Sequence, residues 1–529
     1  MPSPEPDPRT ATAPRPRIEL NPAPSSAPTS FEDARLLERV RPAEWTNPIP
    51  APRYDLVVVG GGTAGLVTAA GAAQLGARVA LVERGLLGGD CLNYGCVPSK
   101  ALLASARHAA AARRGRAFGV HTGPVSVDFP AVMRRMRRIR ARLAEQDSVH
   151  RFRELGVDVF LGQAAFLDPS TLQVGDLRLP FSRACLATGS RPLVPPIEGL
   201  DQVRYLTNES LFGLEELPPR LAVLGAGPTG VELAQAFARF GSRVHLIERE
   251  QQLLPGEDPD AGEWLAAALR EDGASLWLGT ELQRVRPGPG ERGAILRLDD
   301  RVGQDELEVD ALLVAAGRRP NLEGLGLEAA GIQIDQGGVV VDDRLRTTNR
   351  RVFAAGDVCL PLKFTHTADA AARLVIRNAL FAGRRRLSKL TVPWCIYTEP
   401  AVGHVGLTRR EADEQGISID TWRVDLSRLD RAVLDGDERG FVVVHTPRGK
   451  GTILGATVVA AEAGGIVAEL TAAMVTGVGL DELSEVIAPY PTEVEAIRRV
   501  ADEYRRARLT PPVKNALGVW LGLRRLLHV

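Results

Sequence analysis

Asp55-Leu-Val-Val-Val59-Gly60-Gly-Gly62-Thr-Ala-Gly65 runs a β-branched apolar segment straight into spaced glycines, and an alanine-rich helical stretch follows. The pattern predicts a buried parallel strand, a tight turn and a helix. Gly60, Gly62 and Gly65 would serve the turn itself, close approach of the backbone to a pyrophosphate, and close packing of helix on strand. The free N–H groups at the helix start then meet the phosphates. The next strand, Arg78-Val-Ala-Leu-Val-Glu83, ends in an acid placed to accept from a ribose hydroxyl. The same unit recurs downstream. Arg220-Leu-Ala-Val-Leu224 leads into Gly225-Ala-Gly227-Pro-Thr-Gly230, and Arg243-Val-His-Leu-Ile-Glu248 again closes on an acid. Two such units imply a doubly wound α/β chain that holds two dinucleotides. A nicotinamide cofactor and FAD are the natural pair for moving a hydride. From Val392 the pattern changes to alternating strands, near Gly440–His445 and Thr452–Ala460, followed by helices, which reads as a separate α+β domain.

The remaining composition narrows the class. Across 529 residues, 65 basic and 65 acidic side chains cancel, which argues against nucleic acid as a partner. No run approaches the roughly 18 apolar residues of a membrane span, and the N-terminus lacks the apolar core of a secretory signal. Five cysteines in so long a chain point away from a disulfide scaffold and toward a cytoplasmic enzyme whose paired cysteines do redox work. Thirteen of the 37 prolines fall within the first 52 residues, so residues 1–53 read as a disordered tail with a short helical patch over Phe31–Val40. Arg134–Arg142 reads as a solvated basic helix face. Lysine is rare: Lys100, Lys363, Lys389, Lys450 and Lys514 are the only five.

Lys100 closes the segment Gly88-Gly-Asp-Cys91-Leu-Asn-Tyr-Gly-Cys96-Val-Pro-Ser-Lys100. Cysteines five apart on a regular helix differ by about 7.5 Å in axial rise. A disulfide wants Cα atoms within roughly 6.8 Å. The segment must bend if the pair closes, with Gly95 and Pro98 as candidate benders. Two reduced buried cysteines and a zinc site are the alternatives, but the neighbouring sequence offers no second ligand pair. Behind a flavin-type unit, a redox-active disulfide is the favoured reading.

Taken together, the chain resembles the class I pyridine nucleotide–disulfide oxidoreductases, the family of dihydrolipoamide dehydrogenase, glutathione reductase and mercuric reductase. The resemblance runs from about Tyr54 to Arg508. Ala187-Thr-Gly-Ser190, Ala315-Ala-Gly-Arg-Arg-Pro-Asn321, Phe353-Ala-Ala-Gly-Asp-Val358 and Pro393-Trp-Cys-Ile-Tyr-Thr-Glu-Pro400 match its motifs. It implies an FAD-binding domain over 54–205, completed by a central part over 326–391. An NAD(P)-binding domain over 206–325, a dimerisation domain over 392–510 and a C-terminal amphipathic segment over 511–529 make up the rest. It further implies a homodimer acting on a small-molecule or metal-ion acceptor. FAD would be held by Gly60, Gly62, Gly65, Glu83, Lys100, Gly189 and Asp357. Gly225, Gly227, Gly230, Glu248 and Gly317 would hold the nicotinamide cofactor. Cys96 would be the charge-transfer thiolate, Cys91 the interchange thiol, Lys100 the cation near the flavin, and Glu232 its carboxylate partner.

One departure matters for function. Where the lipoamide and glutathione enzymes carry an acid/base histidine before Pro-Thr, with a glutamate five residues on, this chain has Tyr490 and Glu495. Tyrosine there, Phe364-Thr-His366 and Val392-Pro-Trp394 resemble the mercuric reductase subgroup. Yet no cysteine lies before Cys91 or after Cys395, so the C-terminal cysteine pair of that subgroup has no counterpart here. The readings are therefore a mercuric reductase-like disulfide oxidoreductase, a dihydrolipoyl dehydrogenase, and a non-catalytic flavoprotein scaffold. His366 is open to either a structural or a substrate-facing place. Cys185, Cys359 and Cys395 read as buried small residues. Glu248 favours NADH over NADPH, with Arg249 softening the preference. Val513, Leu517, Trp520, Leu521 and Leu527 share a helical face beside Lys514, Arg524 and Arg525. Packing on the dimerisation domain and weak contact with a membrane surface are both open to that segment.

Overall fold

In the computed structural model, residues 30–290, 292–299 and 303–526 are described. Tyr54–Val59 sits at the centre of the first sheet because its apolar residues are buried on both faces, the requirement for a parallel strand covered by helices. It pairs in parallel with Val79–Glu83 on one side and Leu177–Leu186 on the other. Val157–Leu161 extends one edge, and an antiparallel meander through Thr171–Val174 and Ala164–Asp168 extends the other. Val352–Ala354 returns to pair in parallel with Leu177–Leu186, so a distant stretch of chain completes this sheet. Helices Thr63–Gln74 and Thr365–Leu380 cover one face, with Ala64, Ala69, Ala72, Ala371 and Val375 in a shared core.

A second parallel sheet runs Ser275–Leu278, Arg243–Glu248, Arg220–Leu224, Ala311–Val314. A five-stranded antiparallel sheet follows, in the order Pro393–Ile396, Ala401–Gly406, Gly455–Ala460, Phe441–Pro447, Ile419–Asp425. Helices Ala463–Thr476 and Glu495–Ala507 contribute Ile466, Leu470, Val500 and Tyr504 to its core. The architecture is α/β, with two dinucleotide-type sheets and a C-terminal α+β unit.

Four expectations need correction. The N-terminal tail is not disordered up to residue 53. Phe31–Val40 forms a helix capped by the Ser30 hydroxyl, and Leu36 and Val40 are buried. Asn47 then trades hydrogen bonds with the Leu161 backbone at 3.1 and 2.8 Å, covering the edge strand of the first sheet. Residues 1–29 of the expected tail lie outside the described residues.

The arginine run is not simply a solvated face either. On helix Phe129–Leu143, Arg137 and Arg140 point inward and are buried. Asp33 of the N-terminal helix supplies the counter-charge, 2.5 Å from Arg140 and 3.8 Å from Arg137. Buried charges of this kind persist only when paired and hydrogen-bonded. Third, Cys185 is fully buried, but Cys359 and Cys395 are half-buried. Last, helix Pro511–Leu526 buries none of its residues and so does not pack on the dimerisation domain. Leu527 lies outside the described residues.

Candidate active site

Each glycine turn is shaped by backbone contact. A side chain at Gly65 would meet the Gly60 carbonyl oxygen at 1.7 Å, and one at Gly230 would meet that of Gly225 at 1.8 Å. The following helices, Thr63–Gln74 and Pro228–Phe240, have Gly62 and Gly227 as N-caps with no side-chain cap bond, which leaves their N-terminal amides, from Thr229 onward in the second, for phosphate oxygens. The strand-end acids sit in equivalent places. Glu83 accepts from the amides of Gly61 and Gly85, both at 2.5 Å, and burial pushes its pKa up. Glu248 accepts from the Ala226 amide at 2.7 Å and the Glu250 amide at 3.1 Å.

The cysteine segment folds as two helices with a break. Gly89–Asn93 carries Cys91, and Cys96 opens the long helix Cys96–Arg114. The bend falls at Tyr94 and Gly95, where an added side chain would crowd Asp90 at 2.9–3.0 Å. Pro98 is no bender. It lies in the first turn of the long helix, where a missing N–H costs no hydrogen bond. None of the five cysteines is paired in this structure.

The two sulfurs are unequal. The Cys91 thiol hydrogen-bonds to Cys96, and this contact first, then the charge of Lys100, holds the Cys96 pKa down at about 6 against the effect of burial. The same contact and burial push the Cys91 thiol well above its ordinary range. The proton therefore stays on Cys91 and the negative charge on Cys96. Thr365 Oγ1 lies 3.4 Å from the Cys96 sulfur and also favours the thiolate. Cys96 has solvent access from a recess that protein otherwise surrounds.

Lys100 stands one helical turn beyond Cys96, on the same face. Its Nζ donates to both Glu232 oxygens, at 2.8 and 2.9 Å. Burial alone would lower the Lys100 pKa, but Glu232 and Cys96 together raise it, so the ammonium persists. Glu232 is buried on helix Pro228–Phe240 and accepts a further bond from the Tyr397 amide at 2.9 Å. The Tyr397 ring lies 5.0 Å from Lys100 Nζ. Asp357 follows the returning strand Val352–Ala354 and accepts from the Ser190 hydroxyl at 2.6 Å. Burial raises its pKa. Arg318 donates to Ser190 Oγ at 2.7 Å and pairs with Asp90 at 3.2 Å, linking Asp357 to the cysteine segment. Gly189 and Gly317 take positive φ beside the short pairing of Ser190–Pro192 with Arg318–Pro320.

Tyr490 and Glu495 stand apart from this group. Tyr490 is 72% exposed, and its hydroxyl donates to Asp430 at 2.7 Å, which raises its pKa. Glu495 opens its helix and pairs with Arg499 at 2.8 Å. Among the described residues of one chain, no hydrogen bond or ion pair joins either to Cys91 or Cys96. His366 stacks on Phe364 at 5.5 Å, and its Nε2 lies 2.5 Å from the Pro393 carbonyl oxygen. Among the described residues no cluster of His, Cys, Asp and Glu could hold a metal ion.

Residues 54–372 match the family described as pyridine nucleotide-disulphide oxidoreductase, and residues 392–501 match its dimerisation domain. The chain belongs to the pyridine nucleotide-disulphide oxidoreductase family. It is 38% identical over 459 residues to a mercuric reductase of Streptomyces lividans, covering 85% of this chain and 96% of that one. A dihydrolipoyl dehydrogenase of Bacillus subtilis is 31% identical over 465 residues, covering 85% of this chain and 98% of that one. Among solved structures, the HOCl-induced flavoprotein disulfide reductase RclA from Escherichia coli superposes with a TM-score of 0.75 at 30% identity, covering 85% of this chain and 99% of that chain.

As a member of the pyridine nucleotide-disulphide oxidoreductase family, the protein is an FAD-dependent enzyme that draws electrons from NAD(P)H. Its residues fit both cofactors: each turn closes on backbone, each following helix leaves its N-terminal amides uncapped, and an acid ends each second strand. Four further residues of the site escaped the sequence reading: Thr365, Tyr397, Ser190 and Arg318. All lie inside family motifs, but only the folded chain shows which atoms they reach. Among the described residues no helix is long and apolar enough to cross a membrane.

Proposed function

We propose that the Cys91–Cys96 pair receives two electrons originating from NADH and delivers them to a thiol-reactive acceptor, a soft metal ion or a disulfide. The observation that carries this is the arrangement of the pair: Cys91 and Cys96 flank a helix break, the Thr365 hydroxyl lies 3.4 Å from the Cys96 sulfur, and Lys100, held by both oxygens of buried Glu232, stands one turn beyond it, so that these contacts lower the Cys96 pKa and raise that of Cys91. FAD would lie on Gly60, Gly62, Gly65, Glu83, Lys100, Gly189 and Asp357, and there it supplies the two-electron carrier between nicotinamide and sulfur. The nicotinamide dinucleotide would lie on Gly225, Gly227, Gly230, Glu248 and Gly317. Lys100 holds positive charge beside Cys96, and Glu232 keeps that charge from being lost on burial. Cys91 meets the acceptor. With a disulfide acceptor, Cys91 gives up its proton and attacks one sulfur, and the departing thiolate takes that proton. The Cys96 thiolate then attacks the Cys91 sulfur, and the second thiolate leaves and takes a proton from solvent. Two thiols are released and the protein disulfide is restored.

The enzyme works as a homodimer, for which the dimerisation domain is the support. Tyr490 and Glu495 of one subunit then complete the acceptor side of the other. A phenol titrates near ~10 and is a poor proton shuttle at neutral pH, whereas it can hydrogen-bond or ligate an electrophile held at Cys91. Lipoamide and glutathione disulfide are accordingly slow acceptors, and mercuric ion, the substrate named by the Streptomyces lividans relative, is the first to try. Glu248 accepts from a free 2′-hydroxyl and repels a 2′-phosphate, so NADH gives the higher kcat/KM. NADPH giving the higher value would overturn that assignment.

The test is an anaerobic titration with NADH followed in the visible spectrum, and then turnover with mercuric ion, glutathione disulfide and lipoamide. A long-wavelength absorbance that needs Cys96 supports the assignment of the pair, and reduction without it overturns the assignment. Strong lipoamide turnover overturns the acceptor reading and favours the dihydrolipoyl dehydrogenase alternative, which the Bacillus subtilis relative keeps in play.

A further inference from the structure

Helix Pro511–Leu526 is the one long helix among the described residues that buries nothing. Pro511 and Pro512 open it and break it from the preceding helix Glu495–Ala507, so it stands off as a separate arm. Its surface is apolar to a degree unusual for an exposed element. Trp520 is 60% exposed and Leu526 79%, and Val513, Leu517, Val519, Leu521 and Leu523 are exposed as well. At 3.6 residues per turn these side chains spread over more than half of the circumference, while Lys514, Arg525 and Asn515 lie together on the remainder. Arg524 falls within the apolar arc but in the last turn, where a long side chain can lift its charge clear of an apolar surface.

Charge decides what covers this face. The chain as a whole is neutral, 65 basic against 65 acidic residues, yet after Glu503 it contains no acid at all. Arg505, Arg506 and Arg508 pair with Glu485, Glu503 and Asp481. Lys514, Arg524 and Arg525 have no such partner among the described residues. A second copy of the same helix would bring cations against cations with no acid to offset them. An anionic phospholipid surface matches both halves of the pattern: acyl chains take the apolar arc, and headgroup phosphates take the cations. At 16 residues the helix is about 24 Å long, short of the ~30 Å hydrocarbon core, so it lies on the bilayer and does not cross it.

We propose that helix Pro511–Leu526 is an interfacial anchor that seats this oxidoreductase on a bilayer containing anionic phospholipid. The site chemistry is untouched by it, since the helix makes no part of the redox centre.

The FAD-loaded enzyme would be sedimented with vesicles of phosphatidylcholine alone and of phosphatidylcholine mixed with phosphatidylglycerol. Three proteins are compared: the intact chain, one ending at Thr510, and the full-length double variant Leu517→Glu, Trp520→Glu. The intact enzyme should bind the anionic vesicles at least roughly tenfold more tightly than the neutral ones and should be partly released by high salt. The other two proteins should stay in the supernatant while keeping NADH-driven flavin reduction and the mass of the intact enzyme. Equal sedimentation of all three overturns the proposal, as does failure of the intact enzyme to bind either vesicle. A truncated enzyme that loses its dimeric mass also overturns it, because the helix would then belong to the contact between subunits.

Discussion

The redox centre and the Tyr490 corner differ in how much of their surroundings one chain provides. Around Cys96, a single chain supplies a thiol donor, a lysine, a buried carboxylate holding that lysine, and the Thr365 hydroxyl. Around Tyr490 it supplies Asp430 and little else, and the ring faces solvent. The contrast teaches which half of the catalytic cycle is organised within a subunit. On the proposed function, electron arrival at sulfur is provided for within one chain, and delivery to an acceptor would fall to a surface completed by a second subunit. That division follows from physics. A thiolate in a partly desolvated recess needs hydrogen-bond donors and positive charge close by to offset the effect of burial. A substrate-facing phenol needs only reach.

The largest expected effect falls on the first region. Cys96→Ser should lower acceptor turnover by about 10³-fold or more and abolish the long-wavelength absorbance, leaving Tyr490 irrelevant to the outcome. Retained turnover would mean that the pair is not the conduit. Next comes Lys100→Gln. In the unaltered enzyme the thiolate absorbance should fade as pH drops through about 6, because the lowered pKa of Cys96 keeps the thiolate above that point and loses it below. Removing Lys100 takes away a stabilising charge while Glu232 remains, so the midpoint should rise by about one unit. An unmoved midpoint would show that the Cys91 hydrogen bond alone sets it.

Tyr490→His tests the second region. Flavin reduction by NADH should stay within about threefold, while lipoamide turnover should rise by about tenfold as a neutral-pH proton shuttle is supplied. Equal change in both half-reactions would erase the contrast between the regions. Thr365→Val should have the smallest effect, a rise of a few tenths of a unit at most in the Cys96 midpoint, read from the same pH series, because only one of several favourable contacts is lost.

Much of this was legible in residues that are close in sequence. The turns at Gly60 to Gly65 and Gly225 to Gly230 were legible because Gly65 and Gly230 avoid a clash with their own turn, at the carbonyls of Gly60 and Gly225, whereas Gly60 and Gly225 make room for the distant Ala187 and Ala315 carbonyls, which no local pattern shows. Cys91 and Cys96 announced themselves by spacing. What was hidden depends on long-range approach. Thr365 reaches Cys96 across 269 positions, and Asp33 reaches Arg140 across 107. No local pattern distinguishes an arginine facing solvent from Arg140, whose burial is offset by a distant aspartate and by the Asn93 carbonyl. The C-terminal segment was open to two readings, and local pattern could not choose between them. Its amphipathic pattern is of the sort that ordinarily buys tertiary packing, and here no intramolecular surface receives it.

The N-terminal helix has a consequence for the working unit of the enzyme. Arg140 holds Asp33 with one nitrogen and, with another, donates at 3.0 Å to the carbonyl of Asn93, the last residue of the short helix that carries Cys91. One guanidinium thus joins Asp33 to the backbone two residues past Cys91. A chain trimmed to the family boundary at Tyr54 would keep every motif and every named site residue. It would also leave two inward-facing cations without their anion, and a buried pair broken on one side costs about 3–5 kcal/mol. A chain that starts at Tyr54 should therefore keep the site residues and lose stability relative to one that keeps Asp33.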